Sequence, residues 1–276
     1  MANGSVLARN NVQVSGAPGA QPMLFAHGFG CDQHMWRLVT PQFAADYRIV
    51  TFDHAGYGGS QLSAWDAERH SHLTGYAEDM LEIIAELDLR DVVFVGHSVA
   101  SMIGVLAANS APERFADLVL VAPSPRYVDE PQTGYVGGFS QDDITGLLEA
   151  LDSNYFGWSS TMAPAIMGNA DRPALAEELT ETFCRADPRV ASAFARATFL
   201  ADNRDDVARL RTPALVLQCS DDPIAPEGVG RYVADAVAHS AFVQLEATGH
   251  CPNLSAPQET ADAIAAYLSS RRGAYV

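Results

Sequence analysis

The chain of 276 residues contains no lysine: all seventeen of its basic residues are arginine, set against thirty-four aspartates and glutamates. Without a lysine amine, Schiff-base and serine-lysine chemistry are excluded. The formal charge of -17 repels phosphate backbones and anionic lipid headgroups alike, which excludes nucleic acid and membranes as partners and favours a small, neutral, hydrophobic one. No segment approaches the eighteen or more apolar residues of a membrane span, and residues 1–13 lack a basic stretch followed by an apolar run, so cytoplasmic residence is expected. Cysteine is scarce, and Cys31, Cys184, Cys219 and Cys251 show no CxxC spacing. They read as reduced, mostly buried thiols in a chain long enough to fold without disulfides. Metal clusters are missing as well. His70 and His72 form a His-x-His pair that no further ligand completes, and they read as surface residues flanking a helix. The turn Asp53-His54-Ala55-Gly56-Tyr57-Gly58-Gly59-Ser60 lacks the lysine of a phosphate-binding loop and does not match the dinucleotide fingerprint, so it reads as structural. No cofactor and no metal are expected.

What is present is an alternation. Hydrophobic residues make up 48% and charged residues 18%, the balance of a globular chain with a sizeable core. Short apolar runs at 23–26, 47–52, 92–95, 118–121, 214–218 and 241–245 read as buried strands, with a weaker one near 12–14. Amphipathic segments lie between most of them. Residues 73–87 place Tyr76, Met80, Ile83, Ile84 and Leu87 on one face, and 257–268 do the same with Ala261, Ile264, Ala265 and Leu268. Strands alternating with helices predict an α/β fold with a mostly parallel sheet covered on both sides.

The alternation stops between residues 124 and 207, where four helical segments follow one another. Ser140 and Asp143 open the first, over Ile144, Leu147, Leu148 and Leu151. The second spans 155–167, the third begins near Pro173 with Leu175, Leu179 and Phe183 on one stripe, and Asp187-Pro188 starts the fourth. The expected organisation is a core of residues 1–123 and 208–276 with a helical cap, residues 124–207, inserted in it.

Gly96-His97-Ser98-Val99-Ala100 follows the strand at 92–95 and precedes a helical stretch at 101–109. A strand, a sharp turn carrying serine and then a helix is the nucleophile elbow of α/β-hydrolases. A serine needs a base, and the base needs a carboxylate to fix its tautomer; in this fold they follow in the order serine, acid, histidine. His250, directly after the run at 241–245, fits the base, whereas His239 precedes that strand and belongs at the opposite edge of the sheet. Asp221 and Asp222 both follow the run at 214–218; Asp222 is the stronger candidate, being further into the loop and next to Pro223. The oxyanion of an acyl-transfer intermediate needs two N–H donors. Val99, just after the nucleophile, and Phe29, in His27-Gly28-Phe29-Gly30 after the first core strand, fit those places. Cys31 and Cys251 lie close in sequence to these elements.

Phe25-Ala26-His27-Gly28-Phe29-Gly30-Cys31-Asp32-Gln33, Phe94-Val95-Gly96-His97-Ser98-Val99, Ser124-Pro125-Arg126-Tyr127, Gly137-Gly138-Phe139 and Gly249-His250-Cys251-Pro252 together resemble the RsbQ-type bacterial hydrolases. Plant strigolactone and karrikin receptors belong to that group. The resemblance covers nearly the whole chain and implies a triad of Ser98, His250 and Asp222 under a V-shaped four-helix cap. Tyr127, Phe139, Trp158, Phe194 and Phe199, with Phe29, are the candidate pocket residues; Phe139 and Trp158 rest on the resemblance alone. The expected activity is hydrolysis of a small uncharged ester or lactone through an acyl-serine. The alternative implied by the same resemblance is a signalling protein whose ligand binding or slow hydrolysis regulates a PAS-domain phosphatase in a stress response. Carbon–carbon bond hydrolysis and cofactor-free oxidation are further options of the fold; Ser98 argues against chemistry that uses an aspartate nucleophile, and Val99 stands where perhydrolases carry methionine.

Overall fold

The computed structural model describes residues 5–273. Seven strands form one sheet: β1 (Gln13–Gly16), β2 (Pro22–Ala26), β3 (Arg48–Thr51), β4 (Val92–His97), β5 (Phe115–Val121), β6 (Ala214–Asp221) and β7 (Ser240–Thr248). Their spatial order is β1-β3-β2-β4-β5-β6-β7. Only β1 is antiparallel to its neighbour; the other five pairings are parallel. Each apolar run in the sequence falls on one of these strands.

Among the described residues eleven α-helices accompany them: α1 (Val6–Arg9), α2 (Leu73–Glu86), α3 (Val99–Ser110), α4 (Gln141–Ser153), α5 (Tyr155–Met167), α6 (Pro173–Cys184), α7 (Pro188–Phe199), α8 (Arg204–Arg209), α9 (Glu227–Ala236), α10 (Pro252–Ser255) and α11 (Pro257–Gly273). Every residue of β4 is buried, and β5 is buried at all positions but one. Since successive side chains point to opposite faces, unbroken burial means that both faces of the central sheet are covered. The margins differ. All of β1 is exposed, and β7, expected to be a buried strand, is fully buried only at Leu245, because the last strand has a partner on one side only. The β2–β3 crossover also departs from the alternation, holding only the short 3₁₀ turns Gln33–Trp36 and Thr40–Gln42.

Residues 122–213, between β5 and β6, contain no ladder strand among the described residues, only two isolated bridges. Here α4 to α7 fall where the sequence places four helical segments. Ser140 and Asp143 form a reciprocal capping box that satisfies two orphan donors of α4. Asp187 accepts from the Arg189 N–H at 2.9 Å with Pro188 in the first turn of α7. α5 packs on α6, and α4 on α7.

Parallel strands deliver all their C-terminal ends to one edge of the sheet, where such folds place their ligands. The segments after β2, β4, β6 and β7 therefore meet there, and the helical insertion follows β5 from the same edge.

Candidate active site

Ser98 sits at φ 56° and ψ -124°, a left-handed conformation that a side-chain-bearing residue holds only when its surroundings force it. The forcing contacts are backbone ones. The Ser98 N–H donates to the Val121 carbonyl at 2.8 Å, and α3 begins immediately afterwards. Close approach then requires glycine at 28: a Cβ there would come within 2.6 Å of His97 Nδ1 and 3.3 Å of the Ser98 Cβ.

His250 Nε2 lies 2.8 Å from Ser98 Oγ. Its Nδ1 lies 2.8 Å from Asp222 Oδ2 and 3.0 Å from Oδ1. Asp222 Oδ1 also accepts from the N–H groups of Ile224 and Ala225, at 2.8 and 3.0 Å, so the carboxylate is oriented by the backbone of its own turn. All three side chains are buried. Asp221 is exposed; its carbonyl accepts from Gly249 N–H at 2.7 Å, tying the acid loop to the histidine loop. His239 is exposed at the far end of β7, its carbonyl bonded to Ala214 at the start of β6.

A second set of histidines braces these loops. His97 Nε2 donates to the His250 carbonyl at 2.7 Å, and burial holds its ring neutral, down to about 3. His27 Nδ1 donates to the Gly28 carbonyl at 2.9 Å, while its Nε2 accepts from the His54 N–H at 3.0 Å. Burial lowers the pKa of both His27 and His54. A trans peptide sends its C=O and its N–H in opposite directions. Anchoring the Gly28 carbonyl therefore aims the Phe29 N–H the other way. The Val99 N–H, the first of α3, is one of the donors a helix start leaves without an intrahelical acceptor.

Above Ser98 lies a cavity of about 30 Å³ bordered by apolar and thiol side chains. Of the residues expected to line it, Phe29, Tyr127 and Phe199 do, together with Ser98 and His250. Burial pushes the Tyr127 phenol up to about 12, and its hydroxyl contacts Ser98, so it stays a donor. Three others do not border the cavity. Phe194 is fully buried among His54, Tyr57 and Tyr76, on the core side of the Phe29 ring. Trp158 packs edge-on against Phe29 and stacks on Phe183, one layer behind the lining. Phe139 is held by a bridge to Val128. The sequence reading missed Ile166, Leu179, Phe183, Thr198 and Ile224. The α6 stripe of Leu175, Leu179 and Phe183 carried the signal: a face read as helix core turns two of its three side chains to the cavity.

Cys31 and Cys251 both border the cavity, and burial pushes both thiols up, which keeps them protonated and unreactive. His70 is not the surface residue its spacing suggested. It is fully buried, its Nε2 2.9 Å from Asp79 Oδ2, because α2 brings an acidic partner nine residues away in sequence; His72 is exposed. Among the described residues no group of three or more His, Cys, Asp or Glu could hold a metal, and no helix is long and apolar enough to cross a membrane. The turn at 53–60 is a structural bracket, buried at Asp53, His54, Ala55 and Tyr57: the Asp53 carboxylate accepts from Asn11, Gln33 and the Gly59 N–H.

The model of the alpha/beta hydrolase family matches residues 23–263. The chain is 36% identical over 255 residues to a karrikin insensitive 2 receptor of Petunia hybrida, covering 92% of this chain and 93% of that one. It is 34% identical over 262 residues to a strigolactone esterase of Arabidopsis thaliana, covering 95% and 97%. Among solved structures, a hydrolase from Oleispira antarctica matches with a TM-score of 0.92 at 38% identity over 96% of each chain.

Proposed function

The chain belongs to the alpha/beta hydrolase family, and from that premise we propose that it hydrolyses a small uncharged ester or lactone through an acyl intermediate on Ser98. The observation that carries the reading is the buried relay from Ser98 Oγ through His250 to Asp222, with both contacts at 2.8 Å. His250 takes the Ser98 proton as the oxygen attacks the carbonyl carbon, and Asp222 fixes the ring tautomer and stabilises the imidazolium that forms. The negative charge that develops on the carbonyl oxygen is met by the N–H groups of Phe29 and Val99; each such donor is worth roughly a hundred- to thousand-fold in rate. The leaving oxygen receives the proton from His250. Water then repeats the sequence on the acyl-enzyme, with His250 again the base. The helical insertion, residues 124–207, serves as the lid over this site and limits how much solvent reaches it. Relatives named as esterases point to the same bond.

Incubation with a serine-directed phosphonate and measurement of the intact mass tests the reading. One adduct on the wild type and none on Ser98→Ala is the expected result. An unlabelled wild type, or equal labelling of both, overturns it.

A second reading has its own support, the 36% identity to a protein named as a receptor. In it, ligand capture or slow turnover at the same site alters affinity for a protein partner, of which a PAS-domain phosphatase is the proposed case. Pull-downs with wild type and Ser98→Ala discriminate: a purely metabolic enzyme recovers no such phosphatase in either form.

A further inference from the structure

We propose that Leu179 and Cys31 form the partition that sets how large a substrate this site accepts, an inference that rests on the ester- or lactone-hydrolase reading above. The chamber at Ser98, about 30 Å³, has room for roughly two water-sized groups. Sites that enclose a whole small molecule generally run to about 300 Å³ or more. Beside the chamber lies a second cavity of about 260 Å³, a groove between α6 and the segment 31–37. Two residues border both spaces, Cys31 and Leu179. They are 3% and 2% exposed, so both stand buried between the two spaces.

The partition is braced from outside. Glu178, next to Leu179 on α6, pairs with Arg37 at 2.7 Å, and Arg185, just beyond the end of α6, pairs with Asp32 at 3.1 Å. Both bridges span the groove and hold α6 against the segment that carries Cys31. Cys31 acts as a wall here, since burial keeps its thiol protonated. The far side of the groove presents Met35 and Leu254 behind its charged rim, an apolar floor for a neutral alkyl chain. In the wild type a long acyl chain meets Leu179 and stops; a short one fits.

The test uses two alkyl phosphonofluoridates with the same reactive group, carrying a methyl or an octyl chain on phosphorus. Labelling rates are read by intact mass on the wild type, Leu179→Ala, Cys31→Ala and Leu175→Ala. Labelling of Ser98 by the methyl probe reports on the hydrolase reading. The octyl-to-methyl rate ratio reports on the partition. The ratio is expected to rise at least tenfold in Leu179→Ala and several-fold in Cys31→Ala. It should stay within twofold in Leu175→Ala, which trims the same stripe of α6 one turn away at a residue that borders neither cavity. An unchanged ratio in Leu179→Ala with methyl labelling intact overturns the partition and leaves the hydrolase reading standing, as does an equal rise in Leu175→Ala. If Leu179→Ala does not fold, Leu179→Val and Cys31→Ala decide by the same ratio. Absence of methyl labelling on every protein overturns both.

Discussion

Ser98, Asp222 and His250 stand on segments leaving three parallel strands, and the main chain pins each of them. α4 to α7 approach the same site held largely by rings and rim charges. On the strand side the bonds are short and buried: Ser98 N–H to Val121, Gly249 N–H to Asp221, His97 to the His250 carbonyl and two N–H groups on Asp222. On the helical side, Phe29 is the hub, with the rings of Trp158, Phe183, Phe194 and Phe199 within 5.9 to 6.1 Å of its own. The rim adds Arg37–Glu178 and Arg185–Asp32. One buried backbone bond crosses between the regions, from His250 N–H to the Ile166 carbonyl at 2.9 Å, so the end of α5 is fixed to the histidine loop by main chain, while α6 is tied by side chains: the Phe183 ring, Arg172 donating to the Ser255 carbonyl at 2.6 Å, and the rim charges. Chemistry that depends on tenths of an ångström sits on the part that cannot shift. Size selection sits on the part that can.

The largest effect is expected where that rigid part is struck. Asp222→Asn leaves the turn near Ile224 and Ala225 but removes the charge and the acceptor that set the His250 tautomer. By analogy with the corresponding change in a serine protease of another fold, kcat should fall about ten-thousand-fold. Rates on a simple aryl ester, with a melting curve to confirm folding, check it. A loss below tenfold would mean that the carboxylate does not orient His250, and the contrast between the two regions would lose its catalytic meaning.

Most of the strand side was legible in the sequence because its causes are local. Gly28, the run 92–95 before Ser98, and Asp222 before Pro223 each announce a turn whose geometry follows from residue type. Even the choice between two adjacent aspartates is decided by a feature visible in the string, one more residue of distance from the strand, and the structure leaves Asp221 exposed and Asp222 buried. The insertion was legible only as helices. Which face of α6 or α7 turns to the chamber depends on how four helices dock, a long-range matter that a stripe of apolar residues does not encode. So Phe194, expected at the pocket, lies in the aromatic core, and Phe183, expected in a helix core, borders the cavity. His70 was misread for a related reason: its partner Asp79 comes from the next helix, and only docking brings the pair together.

An intermediate effect comes from pH. His27, His54 and His97 are all held below their ordinary value of 6.5 by burial, and all brace the strand side. Above pH 6.5 these rings are neutral in both folded and unfolded chains and contribute no pH dependence. Below it the unfolded chain takes up protons that the fold refuses, so stability falls as pH falls. For His97 the window runs from 6.5 down to about 3. At pH 5.5 this ring alone should cost on the order of 1 kcal/mol, with further losses in the same direction from the other two. The urea midpoint should therefore drop clearly between pH 7.5 and 5.5, before most carboxylates titrate. A midpoint that does not move would show that these rings accept protons in the folded state and that the strand side is looser than its bonds indicate.

The smallest effect belongs to the rim. Arg37, Glu178 and Arg185 are each about 30% exposed or more at the side chain, so water and salt screen their pairs, and exposed pairs typically contribute about 0.2–1 kcal/mol. Arg37→Met and Arg185→Met should each lower the melting temperature by no more than about 2–4 °C. Activity on a short aryl ester should be nearly unchanged, because neither arginine touches Ser98, His250 or Asp222. The informative quantity is salt. If these pairs are what holds α6 to the segment 31–37, raising ionic strength should ease entry of bulkier esters in the wild type, and the double variant should already show that behaviour at low salt. Should either single change cost more than about 2 kcal/mol, α6 would be held as firmly as the strand-end loops, and the division of labour between a fixed reaction centre and a yielding wall would have to be given up.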